Sequence, residues 1–254
     1  MTSKIVQRTI RDRSGGFDVV ALKEKLDAVR KSNWRDSGVR KKTTFSPSVV
    51  GGYNGTCPRY WYYAFNGAYF DEKFKPESAE AMDNGTASHG RMESVYSEAG
   101  VNAIVEKELK LSDPPIRGFA DVICEINGVQ AVGDYKTINS SGFHYRIQSM
   151  KPSEAHYLQI LIYMKILGLS DGFLHYQCKD THQELFIPVK MSERAEKYID
   201  YVFGWMRDVK NATELPERPF TKSSPNCRYC PLSKDCWKDE DGTPGIGKLK
   251  VQKP

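Results

Sequence analysis

The stretch Ile116 to Thr137, IRGFADVICEINGVQAVGDYKT, constrains this chain more than any other. Two runs rich in β-branched and apolar residues flank Asn127-Gly128. Asn-Gly is the strongest short signal for a two-residue type I′ hairpin turn, because both central residues need positive φ. With that turn, Ile126 pairs with Val129, and the register runs on until Asp121 stands opposite Asp134. Side chains alternate across a strand, so Lys136 shares the face of Asp134. Ala120, Val122, Cys124 and Ile126 share the other face with Val129, Ala131 and Tyr135, and that face is expected to be the core side. Like charges facing each other across a sheet are destabilising, so the pair calls for a compensating cation. Oxygen ligands suit Mg²⁺ or Mn²⁺, and Lys136 is placed to orient a water or help deprotonate it. A solvated hairpin with scattered charges would produce the same spacing.

The residues also carry a resemblance. Gly118-Phe119-Ala120-Asp121 followed by Gly133-Asp134-Tyr135-Lys136-Thr137 resembles motifs II and III of the PD-(D/E)XK nuclease superfamily in its RecB-like branch. Upstream, Gly85-Thr86-Ala87-Ser88-His89 with Glu93 is similar to that branch's first motif, a helix bearing a metal-binding histidine. Downstream, Gln159-Ile160-Leu161-Ile162-Tyr163 is similar to its QxxxY motif. With the cysteines below, the match spans Phe45 to Trp237. It implies an α/β fold with a mixed β-sheet flanked by helices. It also implies a metal site of His89, Asp121, Asp134 and the backbone carbonyl of Tyr135, with Asp121, Asp134, Lys136, Gln159 and Tyr163 as catalytic residues. Gln159 and Tyr163 would position DNA or the catalytic strand, and Glu93 would support the site.

At 254 residues the chain suits one large α/β domain with appendages. No apolar run approaches the ~18 residues of a membrane span, and the N-terminus lacks a signal-peptide pattern, so a soluble, cytoplasmic protein of a prokaryote or phage-infected cell is expected. The net charge of +5 is unevenly placed: residues 1–42 hold 12 Lys or Arg against 5 Asp or Glu, which leaves −2 for the remainder. Residues 1–44 therefore form a basic arm, with helical spacing at Val19, Leu22, Leu26 and Val29. Such an arm suits phosphate contact; a solvated helix docked on the body would have the same pattern.

Along the rest of the chain, Ser46-Pro47 predicts a helix start and Arg59 to Phe65 a helix whose rings enter the core. Pro76 to Ala99 predicts a helix with His89 and Glu93 on one face. Val101 to Leu111 reads as a strand and Asp113-Pro114-Pro115 as a turn. Asn139 to Lys151 lacks periodicity and is expected to be a mobile loop at the mouth of the site. Pro152 to Leu167 predicts a helix, Gly172 to Lys179 and Gln183 to Val189 strands, and Met191 to Val209 a final long helix.

Six cysteines in such a chain argue for a metal or redox centre. Cys227-x2-Cys230-x5-Cys236 has compact ligand spacing, and Cys57, in a loop, supplies a distant fourth thiolate. The pattern resembles AddB-type helicase-nuclease subunits and CRISPR-associated RecB-like exonucleases, which implies a 4Fe-4S cluster; a Zn²⁺ site would satisfy the same count. Cys124 and Cys178 read as buried thiols without a role. The nuclease domain is placed at 45–237 and a disordered tail at 238–254. The expected function is a Mg²⁺- or Mn²⁺-dependent deoxyribonuclease acting on single-stranded DNA or DNA ends, with partners in recombination, replication, repair or CRISPR adaptation. The alternatives are an inactive nucleic-acid-binding accessory protein of the same fold and a structural zinc protein.

Overall fold

The computed structural model describes residues 18–34, 37–73 and 75–254. Most of the expected basic arm's first residues therefore lie outside the described residues. The first element is helix α1 (Val19–Ser32), capped by the Asp18 carboxylate on the N–H groups of Val20 and Ala21. Its apolar stripe, Val19, Leu22, Leu26 and Val29, is exposed rather than packed on the body. A two-stranded ribbon follows, β1 (Gly38–Arg40) antiparallel to β2 (Ala68–Phe70). Between its strands lie the single turn α2 (Pro47–Val50) and helix α3 (Pro58–Asn66), which both begin with Pro at the first turn. Trp61 and Phe65 of α3 are buried against Phe45, and Tyr60 against Trp61, as the aromatic run predicts.

The centre is a five-stranded mixed sheet in the order β3 (Ile104–Leu111), β4 (Ile116–Ile126), β5 (Val129–Ile138), β6 (Asp171–Cys178), β7 (Glu184–Lys190). Only β5 and β6 run parallel. Parallel neighbours need a long crossover. Here it contains α5 (Ser140–Ser149) and α6 (Glu154–Leu167). The turn forms as the sequence dictates, with Asn127 at φ 55° and Gly128 at φ 76°, and Ile126 pairs with Val129.

Two helical layers cover the sheet. Helix α4 (Pro76–Glu98) lies on the face of Tyr135, where His89 meets the Tyr135 ring edge-on and the Tyr96 hydroxyl bonds His175 Nδ1 at 2.7 Å. Helix α6 lies on the opposite face, apolar around its whole circumference (Leu158, Ile160, Leu161, Ile162 and Met164 all buried), because α7 (Glu193–Lys210) packs behind it. Two short helices, α8 (Pro225–Arg228) and α9 (Ser233–Cys236), complete the fold.

Three expectations are corrected. The main core lies on the face of Ile123, Val132 and Asp134, not on the Ala120–Val122–Cys124 face alone; both faces are covered, because α6 seals the acidic one. Residues 139–151 are not an open loop: Asn139 Oδ1 caps α5 through the N–H of Gly142, and the buried Phe143 anchors the helix. Residues 238–254 are not a detached tail. Leu249 is buried and its N–H donates to Thr56 O, and the Trp205 indole N–H donates to Gly247 O.

Candidate metal centre and cysteine site

The hairpin ladder is paired from Ile126–Val129 to Val122–Gly133 and opens one step further on, where Asp121 and Asp134 were expected to face each other. There the Tyr135 N–H donates to the Asp121 Oδ2 at 2.6 Å. The Asp121 carboxylate thus lies between the two strands, where His89, arriving from α4, brings Nδ1 within 3.5 Å of Asp121 Oδ1. Tyr135 itself is buried; its hydroxyl donates to Gln177.

Asp134 is fully buried on the other side of the opening. Its Oδ1 accepts from Lys136 Nζ and from Gln159 Nε2, each at 2.8 Å, and Gln159 also donates to the Tyr163 hydroxyl at 3.1 Å. Its Oδ2 is buried with no hydrogen-bond partner. A buried carboxylate oxygen left unpartnered costs free energy unless a cation meets it. Burial and the nearby Asp121 outweigh Lys136 and push the Asp134 carboxyl up to about 6. His89 moves upward too, chiefly through its hydrogen bond to Asp121.

Sequence reasoning missed Glu106. In the β3–β4 register Val105 pairs with Val122 and Lys107 with Ala120, so Glu106 falls opposite Asp121. Ligand atoms of His89, Glu106 and Asp121 lie within 4.8 Å of one another. Glu106 has φ 48°, a left-handed backbone uncommon outside glycine and costly enough to suggest a local demand. Its carboxyl is raised by burial and by its neighbours Glu93 and Asp121, which places Glu93 beside the site. Glu106, Asp121 and Asp134 thus form a row across three adjacent strands.

The site opens into a cleft of about 430 Å³ bounded by Ser46, Ser48, Arg117, Phe119, Asp121, Lys136 and Gln159. Gly118 floors it. A Cβ there would lie 3.0 Å from Pro47 and 3.2 Å from the Tyr163 ring, so glycine lets α2 and α6 close on β4.

The structure also brings the four cysteines of the second predicted site near one another. Cys57 caps α3, and Cys227, Cys230 and Cys236 lie in and around α8 and α9. All four are near enough for mutual electrostatic influence; burial pushes Cys57 and Cys230 up to about 12 and the other thiols push the same way. Buried Arg59 binds the two chain ends, donating to Pro216 O at 3.0 Å and Glu240 O at 2.7 Å and reaching Cys236 O at 3.4 Å. Its Nε has no partner. Arg218 also donates to Cys236 O, at 2.9 Å. Cys124 and Cys178 are buried in strands apart from this group.

No family model matches the chain, and no curated protein matches it. Among solved structures, the crystal structure of SSO0001 is similar with a TM-score of 0.46 and 20% identity, over 87% of this chain and 96% of that one. The alkaline exonuclease LHK-Exo from Laribacter hongkongensis is similar with a TM-score of 0.41 and 14% identity, over 49% of this chain and 66% of that one. The same enzyme in complex with dAMP gives 0.40 and 15%, over 53% of this chain and 68% of that one. Likenesses this distant decide nothing about chemistry. No helix among the described residues is long and apolar enough to cross a membrane.

Proposed function

We propose that this protein is a divalent-metal-dependent deoxyribonuclease, similar to the RecB-like PD-(D/E)XK enzymes, that also carries an iron-sulfur cluster. The observation that supports the first part is the buried, unpartnered Oδ2 of Asp134 beside a row of carboxylates, with Lys136 held on the same carboxylate and a cleft leading in. His89, Glu106, Asp121 and Asp134, with the Tyr135 carbonyl, would hold Mg²⁺ or Mn²⁺. Such an ion, when bound, supplies Lewis acidity toward a phosphoryl oxygen and lowers the pKa of a water.

The chain's own residues do the rest. Gln159, backed by Tyr163, fixes the Asp134 rotamer from the core side, so the carboxylate is pre-positioned before anything binds. Lys136 is half-buried at the mouth, with its ammonium free to leave Asp134 for a phosphate oxygen or the attacking water, where it stabilises the charge that develops during in-line displacement. An inactive accessory protein would have no need of a buried lysine–aspartate pair set this way.

Cys57, Cys227, Cys230 and Cys236 would hold a 4Fe-4S cluster or, as the alternative, one zinc. Zinc–sulfur bonds of about 2.3 Å in a tetrahedron put the sulfurs about 3.8 Å apart. A 4Fe-4S cluster takes four thiolates as well, and it is the group that the resemblance implies.

Lys136→Ala decides the catalytic assignment. Cleavage of labelled single-stranded DNA in Mn²⁺ should fall by about a hundred- to a thousandfold, the loss of one preorganised charge-stabilising donor, with Mn²⁺ binding retained. Wild-type rates in the purified variant would refute the reading. Iron and zinc analysis of anaerobically purified protein tests the second half: one zinc and no iron would refute the cluster.

A further inference from the structure

The cleft at the metal site is not the larger concavity of the molecule. A groove of about 680 Å³ lies beyond α2 and the start of α6, lined by Tyr53, Tyr145, Arg146, Lys151, Glu154 and Lys253 among others. Three of these side chains are cations and one is an anion, so the groove is positive although the chain beyond residue 42 is not. Two are tyrosines whose rings stand in solvent, Tyr53 at 69% and Tyr145 at 59% exposure. The Arg146 guanidinium lies 4.8 Å from the Tyr145 ring centre.

The groove and the metal site share their walls. Ser46, Pro47 and Ser48 line the catalytic cleft, and Gly51 and Gly52, at the other end of the same turn, line the groove. Along α6, Ala155 lines the groove and Gln159 the cleft, one helical turn, about 6 Å, further on. Between them sits His156, held by the Tyr176 hydroxyl at 2.9 Å. Burial foremost, and then the charges of Lys136 and Arg146 together, depress it to about 3, so it is neutral and feels a cation from each side.

We infer that this groove binds the single-stranded portion of the DNA substrate, with phosphates on Arg146, Lys151 and Lys253 and bases against Tyr53 and Tyr145, while the scissile phosphate lies at Lys136. The inference rests on the nuclease reading and adds the track that the strand follows and the residues that hold it. Exposed rings beside cations suit unpaired bases, because every base has a stacking face, whereas in a duplex those faces are already stacked. The cations neutralise the backbone without reading sequence. The binding would therefore be sequence-tolerant and salt-sensitive.

The test uses the full chain in EDTA, with fluorescence anisotropy of labelled oligothymidine, and compares wild type with Lys151→Glu/Lys253→Glu and Tyr145→Ala. All three side chains are exposed, so folding is unaffected, and circular dichroism checks it. The charge reversals should weaken binding at least about tenfold and flatten its salt dependence by roughly 0.7 per lost phosphate contact. Tyr145→Ala should cost about tenfold with the salt slope unchanged. A duplex of equal length should bind more weakly than the single strand. Hydrolysis of bis-p-nitrophenyl phosphate with Mn²⁺, too small to reach the groove, should stay at the wild-type rate in every variant. Its absence in the wild type would sink the nuclease reading, with the groove still judged by anisotropy. Unchanged affinity in the variants, no oligothymidine binding by the wild type, or equal affinity for duplex would overturn the groove.

Discussion

Asp121, Asp134 and Lys136 come from one hairpin within 16 residues of each other, whereas Cys57 and Cys227 are separated by 170. The hairpin is held before any ligand arrives by a turn with the required backbone, a ladder that runs up to the Val122–Gly133 step, and Gln159 and Tyr163 holding Asp134 from α6. The cysteine region is held by short helices of four residues and by the bonds that Arg59 and Arg218 send to backbone carbonyls of the C-terminal segment. In the first region the fold makes the site and strains to do so, crowding three carboxylates and a buried orphan oxygen. In the second, the site helps make the fold, because its ligands join the two ends of the chain. A ligand should therefore relieve stress in one region and supply cohesion in the other.

The largest effect expected from that contrast is on the cysteine side. By analogy with a cross-link closing a loop of 170 residues, a cluster held by Cys57 and Cys227 would stabilise the folded chain by about 5 kcal/mol. That is comparable to the whole stability of many domains. Cys57→Ala should lose iron, brown colour and most of the thermal stability, while Cys124→Ala and Cys178→Ala should keep the iron. Differential scanning calorimetry with iron analysis reads both. A stable, iron-free Cys57→Ala protein would break the contrast.

The carboxylate side should respond in the opposite direction. The folded-state Asp134 carboxyl is raised from 3.8 to about 6, mostly by burial. Its favourable contribution is therefore present below about pH 4 and lost as pH rises through 6, to a limit of about 3 kcal/mol. Asp134→Asn, which keeps the acceptor for Lys136 and Gln159, should leave the metal-free protein more stable than wild type above pH 6, with the gap closing toward pH 4. Saturating Mn²⁺ should reverse the order, since only the wild type gains binding energy. Urea titrations with and without Mn²⁺ decide it; an Asn variant less stable at every pH would show that the acid is not stressed.

The same contrast explains what could be read from the sequence. Asn127-Gly128 fixes the β4–β5 register because a two-residue turn leaves no slack, so Asp121, Asp134 and Lys136 were legible at once. Glu106 was not: β3 and β4 are joined through Asp113-Pro114-Pro115, a turn of no fixed length from sequence, and a one-residue slip would send Glu106 to the other face. Helix α5 was hidden because a single buried residue, Phe143, and an Asn cap carry it, too little for a periodic signal. The supposed tail was misjudged because Gly, Pro and Lys content says nothing of Leu249 finding a backbone partner at Thr56. The sealed acidic face escaped notice because α6 is apolar all round, and its second buried surface depends on α7, which begins 26 residues after α6 ends.

The smallest expected effect concerns the proton that a metal must displace. His89 lies above its usual range, chiefly because Asp121 accepts from it and stabilises the imidazolium. A cationic imidazole cannot ligate, so metal binding releases that proton. As pH falls through the raised value, apparent Mn²⁺ affinity should weaken toward tenfold, about 1.4 kcal/mol, per pH unit; above it, affinity should level off. Asp134, at about 6, sheds its proton lower in the range, and the segment above it is the one that His89 governs. His89→Gln should bind Mn²⁺ more weakly and flatten that upper segment while leaving the lower one. Isothermal titration calorimetry in two buffers of different ionisation enthalpy counts the protons released. A wild-type affinity independent of pH between 6 and 9, with no proton released, would remove His89 from the metal site and leave it a partner of Asp121 alone.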